Sequence, residues 1–476
     1  MERKGTVYDV ENDKFKEECG VFGIYSAKDK LDVASLTYYG LYALQHRGQE
    51  SAGITISDGE SLSCTKGMGL VSEVFNEKVL EPMKGISAIG HVRYSTTGSS
   101  NIMNAQPLLS EFKLGAISIG HNGNLVNTDV IRELLEDAGC IFHTSTDSEV
   151  ILNLISRSAK KGVERAVVEA IEAIKGAYAV VILTKDKLIG VRDPNGIRPL
   201  CIGKLNDSYI LASESCALDA VQADFVRDVN PGEIVIIDEN GIKSINVAEK
   251  TKCETCAFEY IYFARPDSVM DEINVYSSRV RAGMQLYKES PVEADIVIGV
   301  PDSGIAAAEG FSIASGIPYK MGLIKNKYIG RTFISPSQDL REKAVSVKMN
   351  VLKVNVEGKR VVLIDDSIVR GTTSRKLVEL LRRAGATEVH FKVASPMVKF
   401  PCYFGIDISS RDELIGAYKT AEQVNEHISA DSIGYLSIDG FLESLKADKG
   451  FCLGCFRGVY PLSAPIGASK DRLNKC

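Results

Sequence analysis

The sequence predicts two units of different fold class, an α+β layered unit followed by a doubly wound α/β unit. Residues 19 to about 245 contain many short apolar runs separated by Gly, Asn, Asp and Pro, which is typical of strands joined by turns. From about residue 258 the order changes to strand, loop, helix, and that repeat builds a mainly parallel sheet covered by helices. The polar stretch NVAEKTKCET at 246–255 marks the boundary between them.

The first unit is predicted to consist of short strands with few helices. The strand-like runs are, in order, GVFGIY, SAGITIS, ISAIGHVRYS, LGAISIGHNG, AYAVVILTKD, YILASES and GEIVIID. Two helical patterns interrupt them, VIRELLEDAG and SEVILNLISRSAKKG, and each stops at a glycine (Gly139 and Gly162). Long runs of strands with occasional helices favour an α+β layered architecture.

The second unit is predicted from two strand–loop–helix repeats. These are ADIVIGV-PDSG-IAAAEGFSIAS and KRVVLIDD-SIVRGTT-SRKLVELLRRAGA, and the second helix stops at Gly385. In doubly wound folds, ligands bind beyond the carboxyl ends of the strands. The loops PDSG and SIVRGTT are therefore the candidate binding loops of this unit.

Composition limits the function classes. A chain of 476 residues is too long for one core and predicts two or three domains. The net charge of −6, without a basic block, disfavours nucleic acid as a partner. The apolar runs are shorter than the roughly 20 residues of a membrane span, and residues 1–18 lack the apolar core of a secretory signal. We therefore expect a cytoplasmic protein whose eleven cysteines are thiols, metal ligands or catalytic groups.

The stretch VVLIDDSIVRGTTS at 361–374 predicts a phosphosugar site. Asp365 and Asp366 follow a buried strand, and the loop 367–373 opens directly into a helix, whose free N–H groups and hydroxyl side chains would bind an anion. Two carboxylates beside a phosphate are suited to sugar hydroxyls or a metal ion. The alternatives are an acid pair that caps the helix and a phosphoacceptor aspartate of a receiver-like domain.

This stretch closely resembles the phosphoribosyl pyrophosphate (PRPP) motif of type I phosphoribosyltransferases. GVPDSG at 299–304 is similar to the pyrophosphate loop of that family, and KNKYIGRTFI at 325–334 to its flexible closing loop. The resemblance implies that the two acids hold the ribose 2′ and 3′ hydroxyls, that the loop after them holds the 5′-phosphate, and that the closing loop covers the leaving group. The implied PRPP-binding residues are Asp302, Ser303, Gly304, Lys325, Lys327, Arg331, Asp365, Asp366, Ser367, Arg370, Gly371, Thr372, Thr373 and Ser374, with Mg²⁺ at Ser303, Asp365 and Asp366.

Four pieces of the first unit together suggest a glutamine site. They are Cys19 and the stretches HVRYSTTG, GHNGN and TSTDSE. Taken singly, Asn122-Gly123 is a hairpin turn signal, Asp147 is a helix cap or first-turn acid, and Arg93 is a solvated or ion-paired strand residue. Together they form a chemically consistent set, because binding a zwitterionic amino acid requires one cation for its carboxylate and one anion for its amine. Acyl transfer from its side-chain amide then needs a thiol nucleophile and an oxyanion hole.

The same set resembles the class II, N-terminal-nucleophile glutamine amidotransferases, whose mature chain begins with Cys before a GVFGI-like strand. The resemblance implies an αββα sandwich, with Cys19 as the nucleophile, its own α-amine as the base and residues 1–18 as a propeptide. The implied glutamine-binding residues are Arg93 for the carboxylate and Asp147 for the amine, with the oxyanion hole at Asn122 and Gly123. HRGQES at 46–51 also matches, and Arg47 is assigned a supporting, structural role.

The pairing of the two resemblances implies a two-step reaction. Glutamine would be hydrolysed to glutamate and ammonia, and the ammonia would pass through a closed path to PRPP, displacing pyrophosphate and forming 5-phosphoribosylamine, the first committed step of purine synthesis. AMP or GMP, which share the phosphate and ribose diol, would act as feedback inhibitors, and a homotetramer is implied. The expected layout is a propeptide at 1–18, a glutaminase domain at 19–250, a phosphoribosyltransferase domain at 258–450 and a tail at 451–476.

Three cysteine motifs remain: CETC at 253–256, PCYFG at 401–405 and FCLGC at 451–455. Two CxxC pairs could hold Zn²⁺ or an iron–sulfur cluster. The simpler interpretation, isolated buried thiols, fits Cys64, Cys140, Cys201 and Cys216. One subgroup of enzymes that pair these two halves carries a propeptide and a [4Fe–4S] cluster, and similarity to it implies the ligands Cys256, Cys402, Cys452 and Cys455. Cys253 remains an alternative to Cys256.

Two other functions compete with this interpretation. One is another class II amidotransferase, such as a glucosamine-phosphate synthase or an asparagine synthetase. Neither has VVLIDDSIVRGTTS, and the sequence has no ATP loop of the SGGxDS kind. The other is a PRPP-sensing regulator without enzymatic activity. The complete glutaminase half, the intact PDSG loop and the acidic net charge disfavour it.

Overall fold

A computed structural model describes residues 19–94, 100–113, 115–247, 252–326, 349–407 and 411–463 of the chain. The predicted propeptide, Lys327, Arg331 and residues 464–476 of the predicted tail lie outside the described residues. Within the described ranges, no helix has the length and apolar character needed to cross a membrane.

Two antiparallel sheets form the first half, and their strands are numbered in chain order. The first sheet has the order β11-β9-β10-β1-β4-β2-β3. Its strands are β1 Gly20–Tyr25, β2 Ser51–Ser57, β3 Leu62–Met68, β4 Ser87–Arg93, β9 Cys201–Leu205, β10 Ser208–Ala212 and β11 Asp224–Asp228. The second sheet has the order β13-β12-β8-β7-β6-β5. Its strands are β5 Leu108–Phe112, β6 Gly115–Leu125, β7 Gly176–Leu183, β8 Leu188–Arg192, β12 Glu233–Asp238 and β13 Gly241–Asn246.

Helices cover the outer face of each sheet. The helices of this half are α1 Val33–Ala43, α2 Val71–Val74, α3 Glu77–Leu80, α4 Thr128–Asp137, α5 Ser148–Ser158, α6 Val163–Ala173 and α7 Cys216–Ala220. In β1, Phe22 and Ile24 pack beneath α1, while Val21 and Tyr25 pack between the two sheets. This period-two alternation explains why every residue of β1 is buried. The layers are helix, sheet, sheet, helix, so the predicted αββα sandwich is confirmed.

A four-stranded parallel sheet of order β17-β20-β21-β22 forms the centre of the second half. Its strands are β17 Ile296–Gly299, β20 Arg360–Asp365, β21 Glu388–Val393 and β22 Ser432–Tyr435, and its helices are α8 Val275–Glu289, α9 Ile305–Ser315, α10 Lys353–Val356, α11 Thr372–Arg383, α12 Ala421–Ile428 and α13 Ile438–Leu445. In β20, Val362 and Ile364 pack towards α8 and α9, whereas Val361 and Leu363 pack towards α11 and α12. Both faces are covered, which confirms the predicted α/β class.

Short elements complete the structure, and some of them lie at the junction of the two halves. They are β14 Glu254–Cys256, the π-helical turn Glu259–Phe263, the hairpin β15 Val269–Met270 and β16 Ile273–Asn274, the ribbon β18 Leu323–Lys325 and β19 Met349–Val351, β23 Gly450–Cys452 and α14 Gly454–Arg457. β14 and β23 pair in parallel, although about 200 residues separate them. The end of the described chain therefore returns to the junction between the two halves.

Candidate active site

Cys19 lies immediately before β1 and is only 7% exposed. Because β1 runs antiparallel to β4, with Gly20 opposite Val92, the start of β1 lies beside the end of β4. The Cys19 thiol donates to the carbonyl oxygen of Tyr94 at 3.4 Å. Burial raises the pKa of this thiol to about 11, despite the opposing effects of that hydrogen bond and of Arg93. At neutral pH the thiol is therefore protonated, and it needs a base to become a nucleophile.

Arg93 is the last residue of β4 and is almost fully buried. Burial lowers its pKa, while its electrostatic interactions with Cys19, Glu50 and Asp147 act in the opposite direction. Arg93 Nη1 lies 3.9 Å from a carboxylate oxygen of Glu50. The guanidinium thus lies among the groups from which the sequence predicts a glutamine site.

Asn122 and Gly123 lie inside β6, where they pair with Ala179 and Tyr178 of β7. The interpretation of this dipeptide as a hairpin turn is therefore wrong. Gly123 has a φ of 144°, and a Cβ added to it would lie 2.0 Å from the carbonyl oxygen of Ala177. Only glycine permits this close approach of the two strands.

Asp147 precedes α5, and its carboxylate extends to the strand that carries Asn122. Its Oδ2 accepts a hydrogen bond from the Leu125 amide at 3.0 Å, and its Oδ1 lies 3.4 Å from Nδ1 of His121. The position before a helix agrees with the cap interpretation, but these contacts place the carboxylate in the site. The structure therefore brings Cys19, Arg93 and Asp147 together, beside the strand that carries Asn122 and Gly123.

Three buried side chains of this region were not identified from the sequence: His91, Glu214 and Glu259. His91 donates from Nε2 to the backbone oxygen of His121 at 3.0 Å, and burial lowers its pKa to about 3, which keeps it neutral. Arg47 bonds Glu214 and Glu259, which lie 167 and 212 residues away along the chain. Burial favours the neutral form of Glu214, but the charges of His46 and Arg47 outweigh it and hold its pKa well below the usual range.

The second predicted site lies at the carboxyl ends of β17 and β20. These strands are parallel neighbours, and the amide of Val300 donates to the Ile364 carbonyl at 2.8 Å, so their loops lie side by side. Asp365 and Asp366 are both buried. Asp365 Oδ1 accepts from the Asp366 amide at 3.0 Å, and Asp366 Oδ1 accepts from the Ser367 hydroxyl at 2.9 Å. Asp366 and Ser303 line a common small cavity with Arg279.

The other predicted PRPP residues surround this pair of loops. Gly371 precedes α11, which begins with Thr372, Thr373 and Ser374. Arg370 Nη2 donates to Glu413 Oε2 at 2.6 Å. Lys325 Nζ donates to Asp302 Oδ2 at 2.9 Å, and both side chains are exposed. The structure thus joins the pyrophosphate loop to the start of the predicted closing loop.

The candidate cluster cysteines lie at the junction of the two halves. The register of β14 and β23 places Cys256 opposite Cys452, with both side chains on one face. Burial raises the pKa values of Cys452, to about 12, and of Cys455, and both thiols interact electrostatically with Cys402. Cys253 Sγ instead lies 3.6 Å from the hydroxyl of Thr255, on the opposite face of β14. In the ranges that the structure describes, no three His, Cys, Asp or Glu side chains form a ready metal site.

The segment that carries Cys402 touches the first half directly. Asn124 Nδ2 donates to the Tyr403 carbonyl at 2.8 Å, and Arg198 Nε donates to the Phe404 carbonyl at 3.0 Å. Asn124 follows the predicted oxyanion residues on β6. The strand of the first site is therefore in hydrogen-bond contact with the second half.

Two family profiles match the chain. The profile of the glutamine amidotransferase domain matches residues 91–220, and that of the phosphoribosyl transferase domain matches residues 276–395. Curated relatives named amidophosphoribosyltransferase match almost the whole chain. The protein of Synechocystis is 53% identical, over 97% of this chain and 94% of its own length. That of Bacillus subtilis is 50% identical over 94% of each chain, and that of Archaeoglobus fulgidus is 50% identical over 94% and 98%.

Two solved structures are similar over nearly their full length. One is described as glutamine PRPP amidotransferase from B. subtilis complexed with ADP and GMP. It has a TM-score of 0.90 and 48% identity, covering 95% of this chain and 99% of its own. The other is described as the allosteric regulatory enzyme of purine biosynthesis, with a TM-score of 0.90 and 49% identity, covering 95% and 98%.

Proposed function

Because the chain belongs to the amidophosphoribosyltransferase family, which catalyses the first step of purine biosynthesis, we propose that its two sites act in sequence on glutamine and PRPP. The observation that carries this proposal is the convergence of a buried thiol, a buried guanidinium and a buried carboxylate around Asn122 and Gly123. The same chain holds a buried acid pair at the carboxyl edge of a parallel sheet.

In the first site, Arg93 binds the α-carboxylate of glutamine and Asp147 binds its α-ammonium group. The Cys19 thiol attacks the side-chain amide carbon, and the Asn122 amide and the Gly123 N–H stabilise the oxyanion. The C–N bond breaks, the proton from the thiol goes to the departing ammonia, and a thioester remains. Water then hydrolyses the thioester to glutamate and restores the thiol.

The base for this step is the α-amine of Cys19, which becomes available only when residues 1–18 are removed. While Glu18 is joined to Cys19, that nitrogen is an amide and is not basic, and the buried thiol has a pKa of about 11. Cleavage of the Glu18–Cys19 bond therefore switches the site on. The intact mass of active protein should correspond to a chain that begins at Cys19, and active protein that retains residues 1–18 would contradict this step.

In the second site, the 5′-phosphate binds the loop 367–373 and the N-terminus of α11, and the ribose diol binds Asp365 and Asp366. Ammonia attacks C1 of the ribose, and the bond from C1 to pyrophosphate breaks. Mg²⁺ fits the oxygen ligands Ser303, Asp365 and Asp366, and when bound it neutralises charge on the pyrophosphate. Lys325, with Lys327 and Arg331, covers the leaving group and excludes water.

Ammonia must reach the second site without entering bulk water, where it would be protonated and lost as a nucleophile. We therefore expect an enclosed path between the sites. The 2.8 Å hydrogen bond from Asn124 to the Tyr403 carbonyl supports such a path, since it joins the oxyanion strand to the second half.

The test of this function is pyrophosphate release from PRPP and Mg²⁺, with either glutamine or ammonium chloride as the nitrogen donor. Either donor should support release. Release that needs no nitrogen donor, or no release with either, would contradict the proposal.

Purine nucleotides are proposed to bind the phosphate and ribose site, because AMP and GMP share the 5′-phosphate and the diol with PRPP. The B. subtilis relative described with ADP and GMP supports this proposal. We expect saturating AMP plus GMP to slow the reaction at limiting PRPP, and excess PRPP to reverse this. An unchanged rate at limiting PRPP would exclude nucleotide binding at this site.

The homotetramer implied by the family resemblance is tested by sedimentation of the purified protein.

The four cysteines Cys256, Cys402, Cys452 and Cys455 are proposed to bind a [4Fe–4S] cluster. Four thiols are the donor set that such a cluster needs, and the shared face of Cys256 and Cys452 favours Cys256 over Cys253. The cluster would tie the C-terminal segment to the junction, since the reaction has no redox step.

Replacing Cys402 with serine should therefore lower the iron content of anaerobically purified protein from about four atoms per chain. Cys253→Ser is the matched control and should leave iron unchanged, because its thiol lies on the other face of β14. Iron analysis by mass spectrometry provides the measurement. Iron-free wild-type protein, or unchanged iron in Cys402→Ser, would refute the cluster.

A further inference from the structure

The backbone carbonyl of Cys19 is held by a guanidinium that also binds a carboxylate of the second half. Arg47 Nε donates to the Cys19 oxygen at 3.2 Å. The other two nitrogens of the same guanidinium bond Glu259, Nη1 to Oε2 at 3.0 Å and Nη2 to Oε1 at 2.6 Å. Both side chains are fully buried. One planar group therefore joins the predicted nucleophile to a residue that follows β14.

The position of Arg47 is fixed from several sides. It ends the short turn Gln45–Arg47 that follows α1, and its Cβ lies 3.5 Å from where a Cβ on Gly20 would be. Nη1 makes a second ion pair with Glu214 at 2.5 Å, and Arg198 Nη1 lies 3.5 Å from Glu259. Bidentate pairs of this kind fix the plane and direction of the guanidinium. The hydrogen bond to Cys19 is thus made by a group that is itself immobilised.

The orientation of this carbonyl matters for the reaction because Cys19 carries both the thiol and the proposed base on one Cα. Once residues 1–18 are removed, no preceding peptide bond restrains Cys19. A hydrogen bond to the Cys19 oxygen fixes the first peptide plane and, with it, the position of the Cα from which Sγ and the amine extend. Displacement of a reacting group by about 1 Å can cost about 10²-fold in rate.

Glu259 is in turn held by the second half. It begins the π-helical turn Glu259–Phe263, and Arg279 of α8 binds backbone carbonyls near both ends of that turn. Arg279 Nε donates to the Tyr260 carbonyl at 2.7 Å and Nη2 to the Ala264 carbonyl at 2.8 Å. Arg279 lines the cavity that also contains Asp366 and Ser303. The carboxylate that fixes Arg47 therefore depends on elements that border the second site.

We infer that Glu259 is a positioning residue of the glutaminase reaction, acting through Arg47 on the carbonyl of Cys19. This inference rests on the proposed function, in which Cys19 is the nucleophile. It extends the supporting role assigned to Arg47 and makes the first site dependent on a residue of the second half.

Glu259→Gln tests the inference, because it keeps the side-chain shape but removes the charge that orients Arg47. We expect the kcat of glutamine hydrolysis to fall roughly tenfold or more. The KM for glutamine should stay within about twofold, since Arg93 and Asp147 are not altered. The rate at which a diazoketone analogue of glutamine alkylates Cys19 should fall in parallel with kcat.

The matched control is Asp271→Asn. Asp271 forms another bidentate pair at this junction, with Arg192 at 2.7 and 2.9 Å. Arg192 ends β8 and donates to the carbonyls of Gly196, Arg198 and Val229. Losing either pair should lower the melting temperature, but Asp271→Asn should keep the wild-type kcat. Arg47→Lys, which lacks the planar fork that holds the two carboxylates and the carbonyl, should reproduce the kcat loss. Adding Glu259→Gln to Arg47→Lys should cause little further loss, because both act through one contact.

The inference is overturned if Glu259→Gln lowers kcat no more than Asp271→Asn, or if the loss appears in KM instead. It is also overturned if the two substitutions multiply in the double variant. Should Glu259→Gln fail to fold, as loss of its ammonia-dependent rate would show, Glu259→Asp retains the charge with a shorter reach and should show the same kcat loss. Failure of the proposed function itself would look different, since wild-type protein would then neither hydrolyse glutamine nor be labelled at Cys19.

Discussion

Cys19→Ala is expected to abolish glutamine-dependent synthesis of phosphoribosylamine while ammonia-dependent synthesis continues. Without the thiol no thioester forms, so glutamine hydrolysis should fall by at least about 10³-fold. The second site does not use the Cys19 thiol, and it receives ammonia directly from solution when ammonium is supplied. Glutamate release and pyrophosphate release, measured separately with each nitrogen donor, provide the readout.

Two further comparisons sharpen this result. Cys64→Ala is the control, because that thiol lies on β3 of the same sheet and bonds the Pro107 carbonyl. It should leave both activities intact. Wild-type chain that retains residues 1–18 should be alkylated slowly at neutral pH, because the Cys19 thiol has a pKa of about 11. Glutaminase activity that survives in Cys19→Ala would exclude Cys19 as the nucleophile.

Asp366→Asn should have the second largest effect, on pyrophosphate release with both nitrogen donors. The carboxylate is buried beside Ser367 and Ser303, so asparagine preserves the shape but loses the charge. Loss of charge-assisted hydrogen bonds to the ribose and of a Mg²⁺ ligand should reduce the rate by about 10²-fold. Asp365→Asn is expected to act in the same way.

The control for this prediction is Asp295→Asn at the opposite edge of the same sheet. Asp295 accepts from the Arg360 amide at 2.8 Å, at the start of β20, whereas Asp365 ends that strand. Asp295→Asn should keep pyrophosphate release close to wild type. Glutamine hydrolysis by Asp366→Asn shows whether the chain has folded. Near-normal pyrophosphate release by a folded Asp366→Asn would place the ribose diol elsewhere.

Much of the fold could be predicted from local patterns because both faces of the central strands are buried. Strands such as GVFGIY and VVLID are continuous apolar runs, and the two strand–loop–helix repeats place their loops at one edge of a parallel sheet. Helix α1 was not predicted, because VASLTYYGLYA has no charged residue and contains a glycine. That glycine lets the helix approach Phe22, since a Cβ on Gly40 would lie 2.4 Å from its ring.

The site residues also divide into those that could be predicted from local sequence and those that could not. Cys19, Arg93, Asp147 and the Asp365–Asp366 pair stand in short stretches whose chemistry is visible locally. The partners of Arg47 are not, since Glu214 and Glu259 are selected by tertiary packing over 167 and 212 residues. Spacing alone left Cys253 and Cys256 open as ligands of the proposed cluster. The register of β14 with β23 favours Cys256, because alternate residues of a strand point to opposite faces.

The central claim is that one chain couples glutamine hydrolysis to pyrophosphate release from PRPP. The most direct measurement follows glutamate and pyrophosphate together in one reaction that contains protein, glutamine, PRPP and Mg²⁺, without added ammonium. The proposed coupling predicts that both products accumulate at equal rates and that pyrophosphate requires glutamine. Glutamate that accumulates without PRPP-dependent pyrophosphate would contradict it.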